Sequence, residues 1–86
     1  MNATNIAKTL KTKGLNPLRV ENGSEDADGA IYLTEKVSVQ VPTFGKTLGV
    51  VVEGADGKTF DFYPLRTVEQ LDLLVNDAQE ALGNAA

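Results

Sequence analysis

Residues 30–41 read Ala-Ile-Tyr-Leu-Thr-Glu-Lys-Val-Ser-Val-Gln-Val, and their pattern decides the fold. Ile31, Leu33, Val37, Val39 and Val41 all carry odd numbers. Successive side chains of a strand point to opposite faces, so these five residues share one face. Glu35 breaks the series. Two arrangements keep the rest: one long strand bent near Thr34-Glu35-Lys36, or two strands joined by a tight turn there. The single bent strand is the preferred reading, because the parity survives the interruption.

Working outward, Leu48, Val50 and Val52 form the next apolar face. A four-residue loop over residues 43–46 pairs Val41 with Leu48, Val39 with Val50 and Val37 with Val52, so core meets core. In the next hairpin, a three-residue loop Ala55-Asp56-Gly57 sets Val52 opposite Phe60 and Val50 opposite Phe62. That loop is a type I turn followed by a left-handed glycine. Upstream, Leu18 and Val20 mark a short strand over residues 18–21, and residues 22–29 read as a loop.

Helices close both ends. Ile6, Ala7 and Leu10 give an apolar stripe to a helix over residues 4–13, capped by Thr4 or Asn2. Gly14 suits the left-handed position after its last turn, and Leu15 can fold back onto it. Pro17 prevents its resumption. Thr67-Val68-Glu69-Gln70 matches a capping box. Val68, Leu71, Leu74, Val75, Ala78 and Leu82 follow at helical spacing, and Gly83 is expected to end the helix. The expected fold is α+β, in the order α-β-β-β-β-α. A three- to four-stranded antiparallel meander sheet carries both helices on one face, in a single domain spanning residues 1–86.

Composition narrows function. The chain has 86 residues, no Cys and no His. Disulfides, thiolate nucleophiles and Cys-based zinc sites are excluded, as are His-dependent triads. No apolar run approaches 18 residues, so no membrane span is expected, and residues 1–13 lack a signal-like apolar stretch. A soluble cytoplasmic protein is expected. Net charge is −4, unevenly spread. Lys8, Lys11, Lys13 and Arg19 are the only charged residues in the first twenty, and all twelve acids follow. Overall acidity disfavours nucleic-acid binding. A nucleic-acid mimic, with carboxylates in place of phosphates, is a minor reading at this modest charge.

Residues 24–35 partly match an EF-hand calcium loop: Ser24 at position 1, Asp26 at 3, Asp28 at 5, Gly29 at 6 and Glu35 at 12. Serine stands where the pattern wants a carboxylate, and the flanks read as strands instead of helices. A solvated loop is preferred, so no metal, cofactor or catalytic residue is assigned. No glycine-rich phosphate loop occurs.

Two surfaces are candidates for binding another protein. On the outer sheet face, the register above lines up Gln40, Gly49 and Tyr63, then Ser38, Val51 and Asp61, then Lys36, Glu53 and Thr59. Tyr32, Val51 and Tyr63 are its apolar points, and tyrosine is enriched at interfaces. On the second helix, Leu73 falls opposite the apolar stripe among Glu69, Asp77 and Glu80. The bland alternatives are an ordinary solvent face and a lone exposed leucine. The expectation is a small non-catalytic binding module, an inhibitor, adaptor or accessory factor. The alternative is a structural subunit, such as a homodimer, that self-associates through the sheet face or an edge strand.

Overall fold

A computed structural model of the chain describes residues 3–23, 29–41, 50–60 and 67–84. The elements are α1 (Ala3–Thr12), β1 (Arg19–Glu21), β2 (Gly29–Tyr32), β3 (Ser38–Val41), β4 (Val51–Glu53) and α2 (Val68–Asn84). The strands form one antiparallel sheet in the order β1-β2-β3-β4. The expected α-β-β-β-β-α meander is therefore what forms. Ile31, Leu33, Val37, Val39, Val41, Val50 and Val52 join Ile6 and Leu10 of α1 and Leu74 and Ala78 of α2 in one buried cluster. Both helices thus cover the same face of the sheet.

The stretch that decides the fold is two strands, not one bent strand. Ile31 pairs with Val39 and Gly29 with Val41 across a tight turn. The Leu33 N–H donates to the Val37 carbonyl at 2.9 Å, leaving Thr34, Glu35 and Lys36 as the loop. The Thr34 hydroxyl accepts the N–H groups of Lys36 (3.1 Å) and Val37 (3.0 Å), which fixes the turn. A loop with an odd number of residues pairs odd positions with odd. Parity therefore survives a hairpin as well as a bend, and could not separate the two.

The β3–β4 register also differs from expectation. Val39 faces Val52, Gln40 faces Val51 and Ser38 faces Glu53. Every pair is shifted by two residues from the expected register. A two-residue slip keeps every side chain on its face, so the core pattern tolerates both registers. Lys36 is consequently in the β2–β3 turn and not opposite Glu53. The expected loop residues 43–46, and Leu48, lie outside the described residues.

The following hairpin forms as expected. The Gly54 N–H donates to the Lys58 carbonyl at 2.9 Å, and the Phe60 N–H to the Val52 carbonyl at 2.9 Å. Gly57 takes φ +79°, the left-handed position of the loop. Phe60 packs partly buried against the core. Phe62 lies outside the described residues.

Helix α1 buries Ala3, Ile6, Ala7 and Leu10, one stripe at i, i+3, i+4 and i+7. Its C-terminus closes as expected. Leu15 N–H donates to the Leu10 carbonyl and Gly14 N–H to the Lys11 carbonyl, both at 3.1 Å, with Gly14 at φ +90°. This is a Schellman motif, and its apolar Leu15 is buried. At the other end, Thr4 lies inside the helix and does not cap it, and Asn2 is outside the described residues. Asn22 reaches across from the end of β1: its Oδ1 accepts the Thr4 N–H at 3.2 Å, and its Nδ2 donates to the Thr4 hydroxyl at 2.8 Å.

Helix α2 starts at the expected capping box. Gln70 N–H donates to the Thr67 hydroxyl and Thr67 N–H to the Gln70 carbonyl oxygen Oε1, each at 3.2 Å. Leu74, Val75, Ala78 and Ala81 are buried, with Leu71 and Leu82 packed beside them. Val68, expected in the stripe, is 67% exposed at the start of the helix. Gly83 does not end α2, which continues to Asn84. A Cβ there would meet nothing within 4 Å, and its φ is not positive.

These two glycine environments predict opposite responses. Gly83→Ala should raise unfolding free energy by ~0.5–1 kcal/mol, since alanine loses less entropy inside a helix. Gly57→Ala should lower it by about 1 kcal/mol, because φ is positive there. Urea titration of both variants checks this; destabilisation by Gly83→Ala would mean that Gly83 is a helix stop.

Candidate partner-binding surfaces

The register sets two rows across the outer face of the sheet. One runs Arg19, Tyr32, Ser38, Glu53 and Thr59; the other runs Glu21, Ala30, Gln40 and Val51. Gly49, Asp61 and Tyr63, expected in these rows, lie outside the described residues. The middle of the described part of this face is buried. Ala30, Ser38 and Val51 are only 5–6% exposed, and Gln40 Nε2 donates to the Ser38 hydroxyl at 2.8 Å. Val51, expected as an apolar contact point, is buried.

Tyr32 is half-buried and already engaged. The Arg19 guanidinium lies 4.0 Å from its ring centroid, and Arg19 Nε donates to Glu21 Oε2 at 3.1 Å. Hydrogen bonding to Tyr32, and then to the Glu21 carboxylate, raises the guanidinium above its ordinary range. An arginine is charged at any relevant pH, so this arrangement carries no pH switch.

The outward face of α2 is open. Leu73 is 49% exposed, and Glu69 and Glu80 beside it are exposed. Glu69 and Leu73 are four residues apart and Glu80 follows seven further on, so the three share one helical stripe. Asp77 is half-buried and has its own polar partner. Asp72 forms an ion pair with Lys13 of the α1 terminus at 3.2 Å.

Two features were not legible in the sequence. Leu18 and Val20 are 59% and 37% exposed at β1, the terminal strand of the sheet among the described residues. They mark the strand expected over residues 18–21, and α1 contacts that strand without burying either side chain. A cleft of about 460 Å³ also opens between the two hairpin turns and α2, lined by Lys36, Gly54, Asp56, Lys58, Phe60 and Ala81. Its carboxylate, Asp56, accepts the Lys58 N–H at 3.0 Å. The cleft brings together two lysines and one acid, not the paired carboxylates that acid–base hydrolysis uses.

Among the described residues, no group of three or more acidic side chains could hold a metal ion. Of the calcium-loop pattern, Ser24, Asp26 and Asp28 are outside the described residues, Glu35 is exposed in the β2–β3 turn, and Gly29 opens β2. Gly29 has a packing role. A Cβ there would lie 3.0 Å from the Glu21 carbonyl oxygen, 3.1 Å from the Gly23 nitrogen and 3.3 Å from the Ala3 Cβ. No described helix is long and apolar enough to cross a membrane. The chain matches no protein-family model, no curated protein and no solved structure.

Gly29→Ala should therefore destabilise the protein, with a melting temperature lower by several degrees in calcium and in chelator alike. A wild-type melting temperature raised by calcium, with the rise lost in Gly29→Ala, would restore the calcium reading.

Proposed function

We propose that the chain is a small non-catalytic module that binds another protein through the outward face of α2. One observation carries this reading: Leu73 stands half out of the surface, in line with exposed Glu69 and Glu80, on a 17-residue helix without a basic residue. An apolar anchor flanked by carboxylates suits a partner groove with an apolar pocket and a basic rim. The carboxylates would speed encounter and orient it, while the leucine supplies desolvation energy. Tyr32 contributes less than its type suggests, since Arg19 already occupies its ring. A cytoplasmic setting belongs to this reading, because a chain without cysteine needs no oxidising compartment.

Leu73→Arg should leave the melting temperature nearly unchanged, because exposed substitutions typically move stability by under ~0.5 kcal/mol. A photo-crosslinker at position 73 should trap one protein in an extract of the source cells. Leu73→Arg should weaken binding of that purified protein about tenfold or more. Undiminished affinity would remove this helix face from the function.

A further inference from the structure

Among the described residues, the β1 edge of the sheet is free and has its own chemistry, separate from the α2 face. Strand β1 ends the sheet, and Arg19, Val20 and Glu21 are all exposed. The outer edge of a terminal strand presents unpaired N–H and C=O groups, ready to pair with a further strand. By register Val20 shares the face of Ile31, the helix-covered face, yet it remains 37% exposed, with Leu18 at 59%.

A basic rim overhangs this edge. Thr4, Lys8 and Lys11 lie at i, i+4 and i+7 on α1, hence on one flank. Thr4 is bonded to Asn22 at the end of β1, so this flank faces the β1 edge. Lys13 lies on the opposite flank, where it meets Asp72. The chain reverses at Gly14, so β1 runs back beneath α1. From Thr4, Lys8 is about 6 Å and Lys11 about 10 Å along the helix axis. From Asn22, Val20 is roughly 7 Å and Leu18 roughly 13 Å along the strand. The two lysines therefore overhang Val20 and the Leu18–Arg19 end of the edge. Among the described residues neither lysine makes an ion pair.

From this we infer that the β1 edge, roofed by Lys8 and Lys11, takes an extended acidic segment of a partner protein as an added strand. Main-chain bonds to β1 supply the register. Acidic side chains at alternate positions of the added strand point to the α1 side, where they meet the two ammonium groups. Leu18 and Val20 are covered by the added backbone and by the aliphatic stems of the lysines. A second copy of this chain fits less well. Antiparallel pairing of two β1 strands about Val20 would match Arg19 with Glu21 of the other copy, but it would also bring both lysine rims together across the axis. Like charges in that position oppose association.

The test uses the full chain, isotope-labelled, with a short peptide of alternating Glu and Thr and a second of alternating Lys and Thr. The acidic peptide should shift the amide signals of residues 18–21 and of α1, weaken steeply with salt, and bind at least tenfold better than the basic one. Lys8→Glu with Lys11→Glu should lower its affinity about tenfold. Lys13→Glu, which alters charge on the opposite flank, should change it less than threefold, and Leu73→Arg should not change it. Equal affinity for the two peptides would overturn the inference, as would shifts confined to other residues or indifference to the Lys8 and Lys11 reversals. A solution mass that doubles with concentration, with the signals of residues 18–21 shifting without peptide, would assign the edge to a second copy instead.

Discussion

The structure depends on one constraint: every apolar strand residue must reach the same side of a four-stranded sheet. Side chains alternate along a strand, so the loops between strands decide whether the next strand keeps its faces. The three-residue turn Thr34-Glu35-Lys36 joins odd to odd, bringing Ile31 and Val39 side by side. The pairing of Val39 with Val52 then changes parity, and Val50 and Val52 complete the row. Ala55-Asp56-Gly57 keeps it again, for Phe60. Had any connection differed by one residue, the next strand would have turned its valines to the outer face. The helices would then have lost their common floor, and α1 and α2 could not share one core.

The same arithmetic explains what the sequence revealed and what it hid. Faces are set by parity, so the core list read from residues 30–52 was largely correct. Registers and strand breaks are not set by parity alone. A bend and an odd loop leave the same pattern in Ile31, Leu33, Val37, Val39 and Val41, and a two-residue slip between β3 and β4 leaves every valine facing inward. Elements governed by local chemistry were legible: the Thr67–Gln70 box and the Gly14–Leu15 terminus each need only a few consecutive residues. The Asn22–Thr4 cap joins residues eighteen apart, so no local pattern announces it. Burial of Val51 and exposure of Leu18 and Val20 depend on how far neighbouring elements extend over the sheet, which periodicity does not encode. For the candidate surfaces, helix spacing placed Leu73 outward, while on the described part of the outer sheet face Ala30, Ser38 and Val51 are buried.

Charge follows the architecture. Lys8 and Lys11 fall on α1 and Arg19 on β1, at one edge of the sheet, while Glu69, Asp72, Asp77 and Glu80 fall on α2, which contacts β4 at the other. The Lys13–Asp72 pair lies where the two helices approach, with side chains 37% and 55% exposed. An exposed pair of this kind is worth only ~0.2–1 kcal/mol, so it does not hold the layers together. Its larger consequence is to take one cation and one anion out of play at the junction. What remains is a basic flank, Lys8 and Lys11, turned away from α2, and an acidic stripe, Glu69 and Glu80, turned away from the sheet.

Separated fields of opposite sign favour different partners and orient each one before contact. A uniformly acidic surface at net −4 would repel an acidic segment from every side. Segregation lowers that barrier at one edge, because the Debye length at physiological salt is about 8 Å and α2 contacts β4, the strand at the other end of the sheet order. The net charge of a domain this small is therefore a poor guide to what it attracts. The chain is acidic as a whole, yet among the described residues Lys8 and Lys11 make the flank beside β1 basic, and the local value governs any group that comes within one screening length of it.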